Sequence, residues 1–343
     1  MHIKDFYRAI LPVKAENSCK NRKKVILYKV IQVNLLIAEC PIMPGKKEHG
    51  KRLQMKVYTC FPGGKAKVLT MSYDDGKVED IRLLEIFNKY GIKGTFNLNY
   101  GNMNEDQTGQ KHPRLPKEQI KELYKGHEIA THTMTHPTIA RCPLVEVARE
   151  ILEDRMGLES IVGTPVRGHA YPNGSYSEEI KQLFRQLGIA YARVVEIEAP
   201  PSTGGNALLT SIMSYQLPTD PMEWRCTCHH DDPELMKKAE FFANLNKKQY
   251  LKMMSVWGHS YEFADNNNWE VIEEFCKFMG GREDIWYATN IEIFDYMEAA
   301  KRLQFTANNE GVYNPSAQSV WLHVDNKKYV EVKGGTFVDL NTI

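Results

Sequence analysis

"AKVLTMSYDDGKVEDIRLLEIFNKYGIKGTFNLN", residues 66–99, decides how this chain folds. Its first eight residues read as a strand. "VEDIRLLEIFNKYG" then carries apolar residues at 78, 81, 84 and 87 and stops at Gly91, the pattern of an amphipathic helix with a C-terminal glycine. "KGTFNLN" reads as a second strand. A strand, a crossover helix and another strand make one parallel unit, and in such units the chemistry sits where the strands end. Here the first strand ends in Asp74 and Asp75. Adjacent carboxylates resist burial, so they mark either an acidic turn or a functional site.

The alternation continues outward from this stretch. "PKEQIKELYKG" reads as a helix, "HEIATHT" as a strand and "PLVEVAREILEDRMG" as a helix with Leu144, Val147, Ile151 and Leu152 on one face. "VRGHAY", "IAYARVV", "YLKMMSVWG" and "DIWYAT" read as further strands, with helices between them. This implies a parallel sheet clothed in helices, open or closed as a barrel. The last 40 or so residues change period. "SVWLHVD" and "KKYVEVKGG" alternate apolar and polar, which predicts a small antiparallel appendage. The expected organisation is an N-terminal arm at 1–54, an α/β body at 55–302 and a β extension at 303–343.

The arm differs from the body in charge. Residues 1–54 hold twelve Lys and Arg against four acidic residues, while the remainder carries a net −7. A mildly acidic body argues against nucleic acid as the main partner. "NRKKVILYKVIQVNLLIAEC" has a basic end and an apolar stretch, but Lys29, Gln32 and Asn34 break it and no small-x-small cleavage site follows. It reads as a loosely attached basic arm rather than an export signal. No apolar run is long enough for stable membrane insertion. The seven cysteines are odd in number and irregularly spaced, so the expectation is a reducing, cytoplasmic setting without a disulfide framework.

Four segments at predicted strand ends gather unusual polar residues: Asp74–Asp75, "THTMTHP" at 131–137, "RGHAYPNGSY" at 167–176 and "WGHSYEF" at 257–263. His132 and His136 stand four apart, a spacing that can aim two imidazoles at one ion. With one carboxylate from a neighbouring strand end they make a set of one Asp and two His. Such a set leaves coordination positions open, as catalytic rather than structural metal sites do.

The order "YDDG", "HTMTH", an Arg leading to "YPNG", and "WGH" resembles the polysaccharide deacetylases (the NodB-homology group, carbohydrate esterase family 4) over roughly residues 56–300. The resemblance implies a deformed (β/α) barrel and hydrolysis of acetyl groups, mostly the N-acetyl groups of amino sugars, with an acetylated carbohydrate as partner. It implies that Asp74 is the general base and that Asp75, His132 and His136 bind a divalent metal ion. Zn is the foremost candidate, and Co, Mn or Ni suit the same ligands. It places the third motif on Arg167 through Tyr171 and Pro172, with Arg167 steadying Asp74 and a backbone N–H near Tyr171 meeting the oxyanion. His259 falls where the family's proton donor lies, and Trp257 would wall the acetyl methyl.

Departures accompany the likeness. Many members have Arg-x-Pro-Tyr in close succession, whereas here the Pro follows the Tyr. The Asp-rich fourth motif has no clean match, and Asp220 and Trp224 only approximate it. "CTCHHDD" at 226–232 offers many metal-binding side chains, but Cys-x-Cys without a second pair is no zinc knuckle, so it reads as a loop at the mouth of the site. Glu262 either orients His259 or reaches the sugar. The same site would also serve an O-acetyl esterase or a cyclic-amide hydrolase, and a carbohydrate-binding protein with a weak site is the reading from another class. The loops at 99–115 and 200–232 are the expected determinants of specificity.

Overall fold

The computed structural model describes residues 55–104, 107–197, 215–246 and 248–343. The expected arm at 1–54 lies outside them, as do residues 200–214 of the second expected specificity loop. The first strand, β1 (Val57–Cys60), belongs to a peripheral sheet. Among the described residues, nine parallel strands then build the body: β2 (Lys67–Asp74), β3 (Gly94–Leu98), β4 (Glu128–Thr131), β5 (Gly168–Ala170), β6 (Tyr191–Ile197), β7 (Trp224–Cys226), β8 (Cys228–His229), β9 (Lys252–Gly258) and β10 (Ile285–Tyr287). Their order is β7-β6-β5-β4-β3-β2-β9-β8, with β10 on β2. The two edges of this sheet are consecutive in sequence, separated by Thr227 alone. One short segment therefore nearly closes the sheet into a deformed (β/α) barrel.

The central strand explains the geometry. β2 pairs with β9 along residues 67–73, while its other side is shared. β10 takes residues 67–69 and β3 takes 71–74. All eight residues of β2 are buried. Leu69, Met71 and Tyr73 pack outward against helices α1 (Asp80–Tyr90) and those that follow it, in one large cluster that includes Leu83, Phe87 and Phe96. Val68, Thr70, Ser72 and Asp74 occupy the opposite face, inside the barrel, as the period of two requires. Helix α1 ends where expected, at Gly91 in a left-handed conformation (φ 67°).

After α2 (Lys117–Leu123), helix α3 runs over Leu144–Val162, past the expected stop at Gly157. Gly157 is buried, and a Cβ there would stand 2.3 Å from the Tyr100 ring, so this glycine serves close packing rather than termination. Val147 and Ile151 are buried, but Leu144 and Leu152 are exposed, which narrows the expected apolar face. Helices α4 (Glu178–Gln186), α5 (Leu235–Ala243), α6 (Ser260–Asp265), α7 (Trp269–Met279) and α8 (Asn290–Lys301) complete the α/β alternation. "WRCTCHH", expected to be a loop, supplies β7 and β8; strands of three and two residues leave no periodic signal.

The antiparallel appendage forms two small sheets. β1 pairs with β13 (Val320–Val324), which pairs with β14 (Lys328–Val332). β11 (Gln304–Phe305), β12 (Gly311–Tyr313) and β15 (Phe337–Asp339) make the other. Among the described residues no helix is long and apolar enough to cross a membrane, and all five cysteines are free thiols.

At the N-terminal end of the strands, Glu128 ties β4 to its surroundings. Its Oε2 accepts from Thr95 Oγ1 (2.8 Å) and the Ile291 N–H (2.9 Å), and its Oε1 from the Tyr191 hydroxyl (2.8 Å). Burial dominates these hydrogen bonds and pushes the carboxyl up to about 7 from its usual 4.5. Between those values the folded protein keeps a proton that the unfolded chain has released. Stability attributable to this group therefore falls as pH rises from 4.5 to 7, by at most about 3 kcal/mol. Glu128→Gln, which cannot ionise, should lose less stability than wild type between pH 5 and pH 8 in urea unfolding. Identical pH dependence in the two proteins would refute this account.

Candidate active site

The acidic pair splits at the end of β2. Asp74 is its last residue, with its side chain inside the barrel and only 3% exposed. Asp75 follows in a left-handed conformation (φ 80°), its N–H donating to the Asn97 carbonyl (3.0 Å). That reversal of the backbone sends the two carboxylates to different neighbours. Asp75 Oδ1 lies 3.9 Å from His136 Nε2 and 3.9 Å from Arg114 Nη2. It is buried and accepts no hydrogen bond.

His132 and His136 come from the turn after β4. Thr133 (φ 66°) and His136 (φ 64°) are also left-handed, which is unusual for residues with a β-carbon. The turn is held by several contacts. The His136 N–H donates to Thr133 Oγ1 (3.0 Å), Asn99 Nδ2 donates to the Thr133 carbonyl (2.9 Å), and the His132 N–H donates to Asp154 Oδ2 (3.1 Å) and the Leu98 carbonyl (3.0 Å). The imidazoles meet edge to face with centroids 4.8 Å apart. His132 Nδ1 donates to the Ala170 carbonyl (2.8 Å), so Nε2 carries the lone pair. Burial depresses this histidine to about 4, keeping it neutral. One atom from each of Asp75, His132 and His136 lies within 4.8 Å of the others, a group able to hold a metal ion. A buried carboxylate oxygen without a donor and an imidazole lone pair fixed by its other nitrogen are the donors a divalent cation takes.

The partner of Asp74 is not Arg167. Arg167 precedes β5, at the N-terminal end of the strands, and its Nη2 donates to Asp295 Oδ2 at 2.5 Å, both side chains partly exposed. The guanidinium inside the barrel belongs to Arg193 of β6. It is fully buried and its Nη2 donates to both carboxylate oxygens of Asp74. Asn97 Nδ2 donates to Asp74 Oδ1 as well (2.8 Å). Burial works to raise the Asp74 carboxyl, but Arg193, His132 and His259 outweigh it and hold the group well below the usual carboxylate range. In β6, Ala192 and Val194 pack toward the helices, so the residues alternating with them, Tyr191 and Arg193, face inward. The β6–β7 register shifts between Arg193 and Ile197. Counted back from Pro172, the arginine of an Arg-x-Pro motif would fall at position 170, which is Ala170, and Arg193 is the register partner of Ala170 on the neighbouring strand. A charged residue inside the apolar run "IAYARVV" was the available signal.

The other expected residues divide. His259 follows β9, with Nε2 4.0 Å from Asp74 Oδ2 and Nδ1 3.3 Å from Glu262 Oε1. Burial disfavours its charged form, but Glu262 and the two aspartates prevail and raise it above the ordinary histidine value. Trp257 packs its ring on the Arg193 guanidinium, 4.7 Å from Cζ to the ring centre, so it buttresses the ion pair. The Tyr171 N–H is spent on the Arg193 carbonyl (3.0 Å), and the N–H groups of Gly174 and Ser175 donate within their own turn. Tyr171 is therefore not the expected backbone oxyanion donor, and Pro172 has no N–H to offer. His169 is buried beside Tyr171 and Phe184, its Nδ1 2.7 Å from Thr131 Oγ1. Asp220 pairs with Arg185 and caps the turn at Met222, and Trp224 is buried against Tyr191. Neither tethers Arg193.

Comparison with known proteins finds partial matches. The family model for polysaccharide deacetylases matches residues 62–192. A chitooligosaccharide deacetylase of Rhizobium leguminosarum bv. phaseoli is 26% identical over 156 residues, 44% of this chain and 64% of that protein. One of Bradyrhizobium sp. (strain ANU 289) is 32% identical over 79 residues, 23% of this chain and 35% of that protein. The chain thus spans less than two thirds of the length of these relatives. Among solved structures, a putative polysaccharide deacetylase from Mycobacterium smegmatis aligns over 71% of this chain and 94% of that one, with 16% identity and a TM-score of 0.47. Over residues 62–192 the chain is thus similar to polysaccharide deacetylases.

The buried ion pair yields a thermodynamic cycle. Arg193→Met strands a buried carboxylate and should cost about 3–5 kcal/mol, while adding Asp74→Asn should recover most of that. Arg167→Met, which breaks a partly exposed pair, should cost less than about 1 kcal/mol. Urea denaturation of the four proteins measures all three quantities. Equal losses at Arg193 and Arg167 would contradict the assignment.

Proposed function

We propose that this chain is a metal-dependent hydrolase that removes acetyl groups from N-acetylated sugars. The observation that carries this reading is the convergence of Asp75, His132 and His136 beside a buried, arginine-paired Asp74 and a carboxylate-backed His259. Asp75, His132 and His136 would hold the cation, with Zn favoured and Co, Mn or Ni also suited to one carboxylate and two imidazoles. When bound there, a divalent ion supplies Lewis acidity, lowering the pKa of a water and polarising the acetyl carbonyl.

The remaining roles fall to the chain itself. Arg193 and Asn97 keep Asp74 ionised and fix its orientation, with Oδ2 turned toward His132 and His259. Asp74 accepts the proton of the attacking water. His259, with Glu262 behind Nδ1, is the group charged before reaction and donates from Nε2 to the departing nitrogen. Trp257 walls the site and keeps Arg193 in place. The relatives are named chitooligosaccharide deacetylases, which makes N-acetylglucosamine oligomers the first substrates to test.

Full-length protein supplied with divalent ion should release acetate from such oligomers, and chelation should abolish the release. Asp74→Asn should lower kcat by at least ~10²-fold. His259→Ala should impair amide cleavage far more than cleavage of an activated acetyl ester, because an amine needs protonation to leave and a good alkoxide leaving group does not. No acetate from N-acetylated sugars with any of the four metals would sink the proposal, and equal losses on amide and ester would remove His259 as the donor.

A further inference from the structure

The structure assigns a second divalent-cation site, formed by His230, Asp231 and Glu262 behind the proton donor. His230 follows β8 and is completely buried, yet among the described residues neither ring nitrogen has a hydrogen-bond partner. A buried imidazole with both nitrogens unsatisfied is costly unless something else coordinates it. Two carboxylate oxygens flank its Nε2: Asp231 Oδ1 at 3.3 Å and Glu262 Oε2 at 3.3 Å. Neither is placed to accept an N–H hydrogen bond. Ligand atoms bound at ~2.1 Å around one ion in tetrahedral geometry stand roughly 3.4 Å apart, so the spacing is that of neighbouring ligands.

The ring is held for this purpose. It stacks on Phe263 (4.0 Å between centroids) and on Tyr73 (5.7 Å). Its Nδ1 edge lies against Gly258, where a Cβ would approach within 2.0 Å, so no other residue fits there without moving the imidazole. The carboxylates have supporting contacts of their own. Asp231 Oδ2 is reached by Asn266 Nδ2 at 3.5 Å. Glu262 Oε2 accepts the His259 N–H (3.0 Å) and faces His229 Nε2 at 3.3 Å. His229 Nδ1 accepts the Asp231 N–H (3.2 Å), which leaves the proton on Nε2 to meet Glu262. His229 therefore belongs behind the carboxylate and not on the ion, the usual place for an outer partner. A cavity of about 360 Å³ lined by His230, Asp231, Asn266 and Asn268 gives an ion a way in. The two cysteines of the same segment are not ligands: Cys226 accepts from Ser255 Oγ, and both thiols are buried and raised in pKa. One imidazole and two carboxylates suit a cation of intermediate hardness such as Zn²⁺, Mn²⁺ or Co²⁺.

The test counts ions. Chelator-stripped full-length protein is dialysed against Zn²⁺ and the bound metal is measured per chain. Wild type should hold two ions. His132→Gln with His136→Gln, which disables the deacetylase centre, should still hold one, and so should His230→Gln. Asp231→Asn should weaken the second equivalent by at least ~10-fold while leaving the first unchanged. It is a half-exposed position, so it reports even if His230→Gln fails to fold. One ion in wild type that is lost in the His132/His136 variant, or two tightly held ions in both His230→Gln and Asp231→Asn, would overturn the assignment. Loss of the first site alone would count against the proposed deacetylase centre and leave this one standing.

Discussion

The Asp74–Arg193 ion pair is the constraint around which the barrel interior is arranged. A carboxylate taken out of water at the top of β2 is unfavourable by several kcal/mol unless a cation meets it in good geometry. Arg193 does so from β6, across the barrel interior, with both oxygens engaged. Asn97 supplies a further donor from β3, and Trp257 covers the guanidinium from β9. Strands β2, β3, β6 and β9 thus each contribute to one charge pair, so its geometry depends on the ring being nearly closed.

Backbone strain is concentrated around the same place. Asp75, Thr133 and His136 all adopt left-handed conformations without being glycine. Each costs on the order of 1 kcal/mol or more, and such residues persist only where surrounding contacts over-determine them. Here those contacts are Asn99, Asp154 and the turn's own threonine. The strained turns bring a carboxylate and two imidazoles to one point while Asp74 keeps its place in the sheet.

Much of this was legible along the chain. The alternation of strands and helices gave the α/β body, the change of period gave the β appendage, and the His132–His136 spacing beside an acidic strand end singled out the cluster. Four things were hidden for physical reasons. β7 and β8 are too short to show a period, so the closing segment looked like a loop. β1 pairs with β13 from the far end of the chain, a contact that no local pattern encodes. The motif places a guanidinium just before Tyr171, but Arg167 stands at the wrong end of β5. Arg193 was visible only as a charge in an apolar strand, and its partner is far away in sequence. The histidines of "CTCHHDD" stand in no cysteine pattern, and their meeting with Glu262 depends on β8 lying beside β9.

The register between Ala170 and Arg193 has a consequence for how such proteins are recognised. In a parallel sheet, neighbouring residues at the same height look into the same space, so a charge can change strands without changing its address. A string search demands the arginine a fixed number of letters before the proline, and would score this chain as missing it. The electric field at Asp74 does not depend on which strand sends the guanidinium. A motif written in consecutive letters therefore misses a charge that reaches the same point from the next strand. Apparent loss of one motif residue indicates loss of function only after the adjoining strand has been inspected.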